Sequence, residues 1–288
     1  MRVSTSMLHQ SAMNNIRLTL SALARLQNQS ASGRKISTVS DNPSDAAQVM
    51  QLNSHLRDID QYRRNASNAT TKMNTEDAVL NTVHDLMQTA QQITAGITSN
   101  DPNDPARQTA LEQVSAIRDQ IISLGNTRVG QEYIFGGAET SSVAFNPDGS
   151  YAGDNIVRQA EIDAGMKVET NHTGRQLFTT SLDALTALST SLTTGTPADV
   201  QATSVQLQRA STDLLTSQAQ IGIRLKEIQT TGTQQAQRSV SLADRRQELQ
   251  DADPTETAVA LLSTQNALQQ AYASMSRVLQ TRLVDYLR

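Results

Sequence analysis

Asp251–Glu256 reads DADPTE and interrupts an otherwise long helical pattern near the C-terminus. Near the N-terminus, Asp41–Ala47 reads DNPSDAA and has the same construction. Both place a side chain able to cap a helix directly before a proline, and proline fits the first helical turn because its missing N–H has no partner to lose there. An acid follows two residues after each proline, at the third helical position, where the positive end of the helix dipole favours it. Asn42, Pro43 and Asp45 therefore mark one helix start, and Asp253, Pro254 and Glu256 another. Asp104-Pro105 and Thr196-Pro197 add two more starts, the second with Asp199 in the acidic position. For Asp251, Asp253 and Glu256 this structural role outweighs a metal-binding or catalytic one.

Apolar spacing extends these starts into long helices. After Pro43, Leu52, Ile59, Ala66, Met73, Leu80 and Met87 recur every seven residues, which predicts a helix to about Thr98, roughly 80 Å at 1.5 Å per residue. The stretch SNDPND ends it, and Leu111, Val114, Ile117, Ile121 and Leu124 mark a shorter returning helix. After Pro197, Leu207, Leu214, Ile221 and Ile228 again fall at sevens. Gly222 and Gly232 weaken that helix without ending it. Stripes of this kind pack helix on helix.

The composition agrees. Of 288 residues 37% are hydrophobic and only 3% aromatic, with no Trp, so a wide round core is hard to build and a narrow bundle is not. The expected fold is mainly α: an elongated helical bundle with coiled-coil-like packing, paired terminal helices and a small β-rich insertion. The insertion falls at 133–178, where NPDG is a turn and IVRQAEID and MKVETN read as short strands. Its polar, turn-rich sequence predicts that it faces outward. The expected divisions are 1–40, 41–132, 133–178, 179–250 and 251–288.

The two ends are single amphipathic helices set off by their breakers. Met13, Ile16, Leu20 and Leu23 share one face of the first. Leu261, Leu268 and Met275, interleaved with Tyr272, Leu279 and Tyr286, line the last. A lone helix gains little stability in water, since burial of its apolar face supplies most of it. Paired with each other, the ends still leave apolar surface over, which predicts burial against neighbouring molecules.

Chemistry finds no foothold. The chain has no Cys, which excludes disulfides, thiol catalysis and Cys-liganded zinc. His9, His55, His84 and His172 are scattered, without metal-ligand spacing. No phosphate-cradling glycine loop appears, and Gly136-Gly137 reads as a turn. The paired arginines of QYRRN and DRRQE read as solvated faces. A net charge of −4 argues against nucleic acid. No apolar run reaches membrane-span length, and the N-terminus lacks the block of a cleavable signal peptide, leaving a cytoplasmic protein or one exported by another route. No cofactor, metal or enzymatic activity is expected.

The residues resemble a known family. LQNQSASGRKISTVSDNPSDAA, residues 26–47, is similar to the N-terminal signature of the flagellin superfamily. QELQDADPTETAVALLSTQNALQQAYASMSRVLQTRLVDYL, residues 247–287, resembles its C-terminal counterpart. RVSTSM at 2–7, EYIFGG at 132–137 and the late DYL resemble the hook–filament junction branch more than filament flagellin. The resemblance implies a structural protein exported through the flagellum's own type III channel. Its implied partners are flagellin, the other junction protein (hook-associated protein 1), copies of itself in a ring, and an export chaperone on the C-terminal helix. It also implies ends that stay disordered until assembly. Filament flagellin and a tip or translocator protein of another type III system are the alternatives.

Overall fold

The computed structural model describes the backbone of residues 2–286 and the side chains of residue 7 and residues 9–276. Over that range the chain is mainly α. In order come α1 (Arg2–Ser32), α2 (Pro43–Gly96), α3 (Pro105–Gly125), β1 (Arg128–Val129), β2 (Glu132–Tyr133), β3 (Gln159–Asp163), β4 (Met166–Glu169), α4 (Gly174–Thr194), α5 (Pro197–Gln250) and α6 (Pro254–Tyr286). The strands form two antiparallel two-stranded sheets, β1 with β2 and β3 with β4.

Four helices begin at the prolines, and local side chains close their first turns. Asn42 Oδ1 accepts from Asp45 N at 3.2 Å while Asn42 Nδ2 donates to Asp45 at 2.6 Å. Asp104 accepts from Ala106 N at 2.8 Å. Thr196 and Asp199 form a reciprocal pair, with Thr196 N donating to Asp199 Oδ2 at 2.8 Å and Asp199 N donating to Thr196 Oγ1 at 3.3 Å. These bonds satisfy donors that a helix start would otherwise leave open. The bond from Thr196 N holds the Asp199 carboxyl below its ordinary range, as Ala106 N does for Asp104.

Two compact units are present, one of residues 1–58 and 238–288, the other of 59–237. The divisions fall inside α2 and α5 and not at the prolines, because a proline marks where a helix starts and not where a packing unit ends.

The 59–237 unit holds a continuous core. Met73, Leu80 and Met87 of α2, Val114 and Ile121 of α3, and Leu207, Leu214 and Ile221 of α5 are all nearly inaccessible. To these the structure adds α4, whose first turn lies inside the stretch expected as the insertion. It packs against α3 and buries Leu177, Phe178, Leu185, Leu188 and Leu192.

The insertion exposes many loop residues, but it also buries an apolar set that its polar composition did not predict. Phe135, Ala144, Phe145, Ile162 and Val168 are 0–3% exposed and belong to the same core. All three phenylalanines of the chain meet there: Phe178 lies edge-on to Phe135 at 4.8 Å and to Phe145 at 5.6 Å. Polar side chains of the stretch hold its loops at the surface. The Asp154 carboxylate accepts from Ala138 N at 2.9 Å, Glu139 N at 3.1 Å and Ile156 N at 2.8 Å, and the Ala138 bond is the largest cause of its lowered pKa. Gly137, at φ +80°, lets the backbone pass this carboxylate, where a Cβ would strike it. The β3–β4 hairpin is tied to both long helices: Asn65 Nδ2 donates to Glu161 O at 2.9 Å, and the Gln235 amide donates to Ile162 O.

Buried polar groups join elements distant in sequence. Arg107, 1% exposed, donates to the carbonyls of Leu192, Ser191 and Gly195 at the end of α4 and to Ser99 O. His172 Nδ1 lies 2.5 Å from Glu76 Oε1 and its Nε2 3.0 Å from Arg224 Nη1. The same Nε2 lies 3.3 Å from Gln220 Oε1, so the ring bridges α2 and α5.

Candidate assembly interface

The terminal helices carry the candidate site, and the breaks that delimit them are where its geometry begins. Gly33 adopts φ +66° and its N–H returns to Gln29 O at 2.8 Å, which closes α1 in the left-handed turn common at helix ends. The chain then runs extended through Arg34, which pairs antiparallel with Asp251. Gln250 O accepts from Lys35 N at 2.7 Å and Ile36 N at 3.3 Å, while Ala252 N donates to Gly33 O at 3.0 Å. Asp41 Oδ2 gathers Ser37 N at 3.1 Å and Thr38 N at 2.8 Å, so the loop into α2 is held by one carboxylate. The Thr38 and Ser37 backbone bonds hold that carboxyl below its ordinary range. On the other side Asp253 Oδ1 accepts from Thr255 N at 2.7 Å and Glu256 N at 3.3 Å to open α6.

α1 and α6 leave this junction packed against each other. Ile16 is buried and Leu23 half-buried on α1; Leu261, Leu268 and Met275 are half-buried on α6. Three other residues of the apolar faces are left open: Met13 is 48% exposed, Leu20 43% and Tyr272 50%. The side chains of Leu279 and Tyr286 lie outside the described residues. Sequence reasoning passed over Leu18, Val259 and Leu262, which are 66%, 63% and 59% exposed. They fall off the seven-residue stripe, and their only signal was being large and apolar on helices otherwise rich in polar residues. Among the described residues no group of His, Asp and Glu is placed to hold a metal, and no helix is long and apolar enough to cross a membrane. The arrangement offers apolar contact area and main-chain order, not reactive groups.

Residues 3–140 match the family described as the bacterial flagellin N-terminal helical region. The flagellar hook-associated protein 3 of Escherichia coli K12 is 25% identical, with 96% of this chain and 96% of that protein aligned. A flagellar hook-associated protein from Vibrio parahaemolyticus superimposes with a TM-score of 0.66 at 19% identity, over 73% of this chain and 100% of that structure. The flagellar junction protein FlgL from Legionella pneumophila does so with a TM-score of 0.57 at 14% identity, over 70% and 99%. Over residues 3–140 the chain is similar to the N-terminal helical region of bacterial flagellin. Relatives matched nearly end to end, at 25% and 26% identity, are flagellar hook-associated protein 3.

Proposed function

We propose that this chain is a structural adaptor subunit of the bacterial flagellum, exported through the flagellar channel and seated between hook and filament. The observation that carries the reading is the match to hook-associated protein 3 across 96% of the chain, which includes both terminal helices. The apolar residues left open on α1 and α6 suit such a role, since a two-helix pair cannot bury them alone and subunit packing can. In this reading Met13, Leu20, Tyr272 and the outer part of α6 bury against neighbouring subunits, including copies of the same chain in a ring. Hook-associated protein 1 lies beneath it and flagellin above, and a cytoplasmic chaperone covers the C-terminal helix before export.

The test is genetic and visual. Immunogold labelling of sheared flagella should mark the hook–filament boundary only. Removal of 255–288 should abolish attachment, so that flagellin accumulates in the medium instead of polymerising on the hook. Label along the whole filament would favour the filament-subunit reading, and no flagellar label would overturn both.

A further inference from the structure

Four polar residues in a row, Thr170, Asn171, His172 and Thr173, are buried between β4 and α4, and one of them can change its charge. We propose that His172 is a proton-operated switch, in which a proton taken up at Nε2 replaces Arg224 by Gln220 as its partner on α5. The proposal concerns the 59–237 unit alone and does not depend on what the protein assembles with.

The geometry makes two incompatible demands on one nitrogen. Nε2 lies 3.0 Å from Arg224 Nη1, which can only donate, and 3.3 Å from Gln220 Oε1, which can only accept. A bare Nε2 satisfies the arginine and leaves the glutamine without a donor. A protonated Nε2 donates to the glutamine and turns a hydrogen toward the guanidinium. The two partners sit on the same face of α5, one turn apart. The other ring nitrogen serves both states: Nδ1 is 2.5 Å from Glu76 Oε1, and an ionised Glu76 keeps a proton there. The proton at Nε2 then decides between a neutral ring and an imidazolium.

The surroundings can hold either form. Around the ring stand Glu76 of α2, Glu169 of β4 and Arg224 of α5, with Arg224 Nη2 bonded to Glu169 Oε2. A neutral ring leaves two carboxylates against one guanidinium, and an imidazolium balances them. Glu76 is 3% exposed, so the charged ring would have a buried carboxylate at contact, as a buried charge requires. Arg224 keeps Glu169 when it loses the ring, so the exchange strands no cation. The other charges beside this segment, Lys72, Glu132 and Arg158, are paired among themselves. Gln220 is exposed, which gives solvent protons a short path to Nε2. Imidazole ordinarily changes charge between about pH 5 and 8.

The test is an NMR titration of the full-length protein from about pH 8 to pH 5. The imidazole nitrogens of His172 are assigned by comparison with His172→Gln. The ring should titrate with the fold intact, and the Arg224 Nε–H and Gln220 side-chain amide signals should move with the same midpoint. Gln220→Leu, at an exposed position, removes the partner of the protonated state and should lower that midpoint by at least about 0.3 pH unit. Arg224→Met removes the partner of the neutral state and should raise it by at least about as much. A ring that does not titrate in this range, an Arg224 signal that ignores the titration, or a midpoint unmoved by Gln220→Leu would overturn the proposal. So would a midpoint that falls in Arg224→Met.

Discussion

Arg107 Nε donates to Leu192 O at 3.0 Å, which joins the start of α3 to the end of α4 through a side chain that solvent does not reach. Its Nη2 takes Ser191 O and Gly195 O at 2.7 Å each. These carbonyls end a helix, where the dipole is negative and intrahelical partners run out. Arg107→Met keeps most of the volume and leaves the carbonyls without donors. It should cost about 3 kcal/mol, lowering the melting temperature of the 59–237 unit by roughly 6–12 °C. Arg107→Lys should recover only part, since one ammonium cannot reproduce the planar fork. A melt unchanged in the Met variant would show that water replaces the guanidinium.

The insertion's buried apolar set reverses what its polar sequence suggests for a deletion. Excising 140–175 removes Phe145, Tyr151, Ile162 and Val168 together, and should abolish the cooperative thermal transition of the 59–237 unit. Phe145→Ala alone should cost about 3–5 kcal/mol. Retention of a wild-type circular dichroism melt after the deletion would place the core elsewhere.

Glu132 bonds Lys72 Nζ at 2.5 Å and Arg158 Nη1 at 3.2 Å, and the Lys72 hydrogen bond is the largest cause of a pKa held below the ordinary 4.5. A lowered carboxyl pKa contributes stability above its unfolded value, and that contribution disappears as pH falls through the folded value. Glu132→Gln should therefore lower the melting temperature at neutral pH. The gap to wild type should close as pH falls below about 4. Because Glu132 is 44% exposed, salt should shrink the same gap.

Glycines separate by conformation. Gly222 and Gly232 sit inside α5 with nothing within 4 Å of a built Cβ. Ala at either should stabilise by about 0.5–1 kcal/mol, read as a higher melting temperature. Gly137→Ala should destabilise, since it meets both a positive φ and the Asp154 carboxylate.

Ile16→Asp combined with Leu268→Asp should separate α1 from α6, because an unpaired carboxylate is strongly disfavoured in an apolar seam. Proteolysis should then shorten both ends while 59–237 survives. On the proposed reading the variant should also fail to attach at the hook. Protease-resistant ends in this variant would mean that the pair is held by something other than its seam.

The long helices were legible because one face repeats every seven residues and the prolines at 43, 105, 197 and 254 announce their starts chemically. α4 was not, although Leu177, Leu185, Leu188 and Leu192 have helical spacing: its first turn lies in a stretch of strand-like and turn-like residues. The insertion's burial was hidden because Phe135, Phe145 and Phe178 follow no period, and only the tertiary fold brings them together. Arg107, Glu76 and His172 read as isolated polar residues for the same reason. At the termini the sequence indicated which helices carry spare apolar area. It did not show which residues stay open, since helix register against a partner decides that.

The aromatic group at Phe145 also gives the molecule an optical signature. With no tryptophan and five tyrosines, the chain has a simple near-ultraviolet spectrum. Tyr151 lies 5.2 Å from Phe145, and its hydroxyl donates within reach of Asp154 O at 2.6 Å. Light absorbed by that phenylalanine should reach the tyrosine efficiently and in a fixed chiral setting. Tyr272 is half exposed on α6, in the other unit. Tyrosine emission excited through phenylalanine should thus report on the 59–237 unit, and Tyr272 on the ends, in the unlabelled protein.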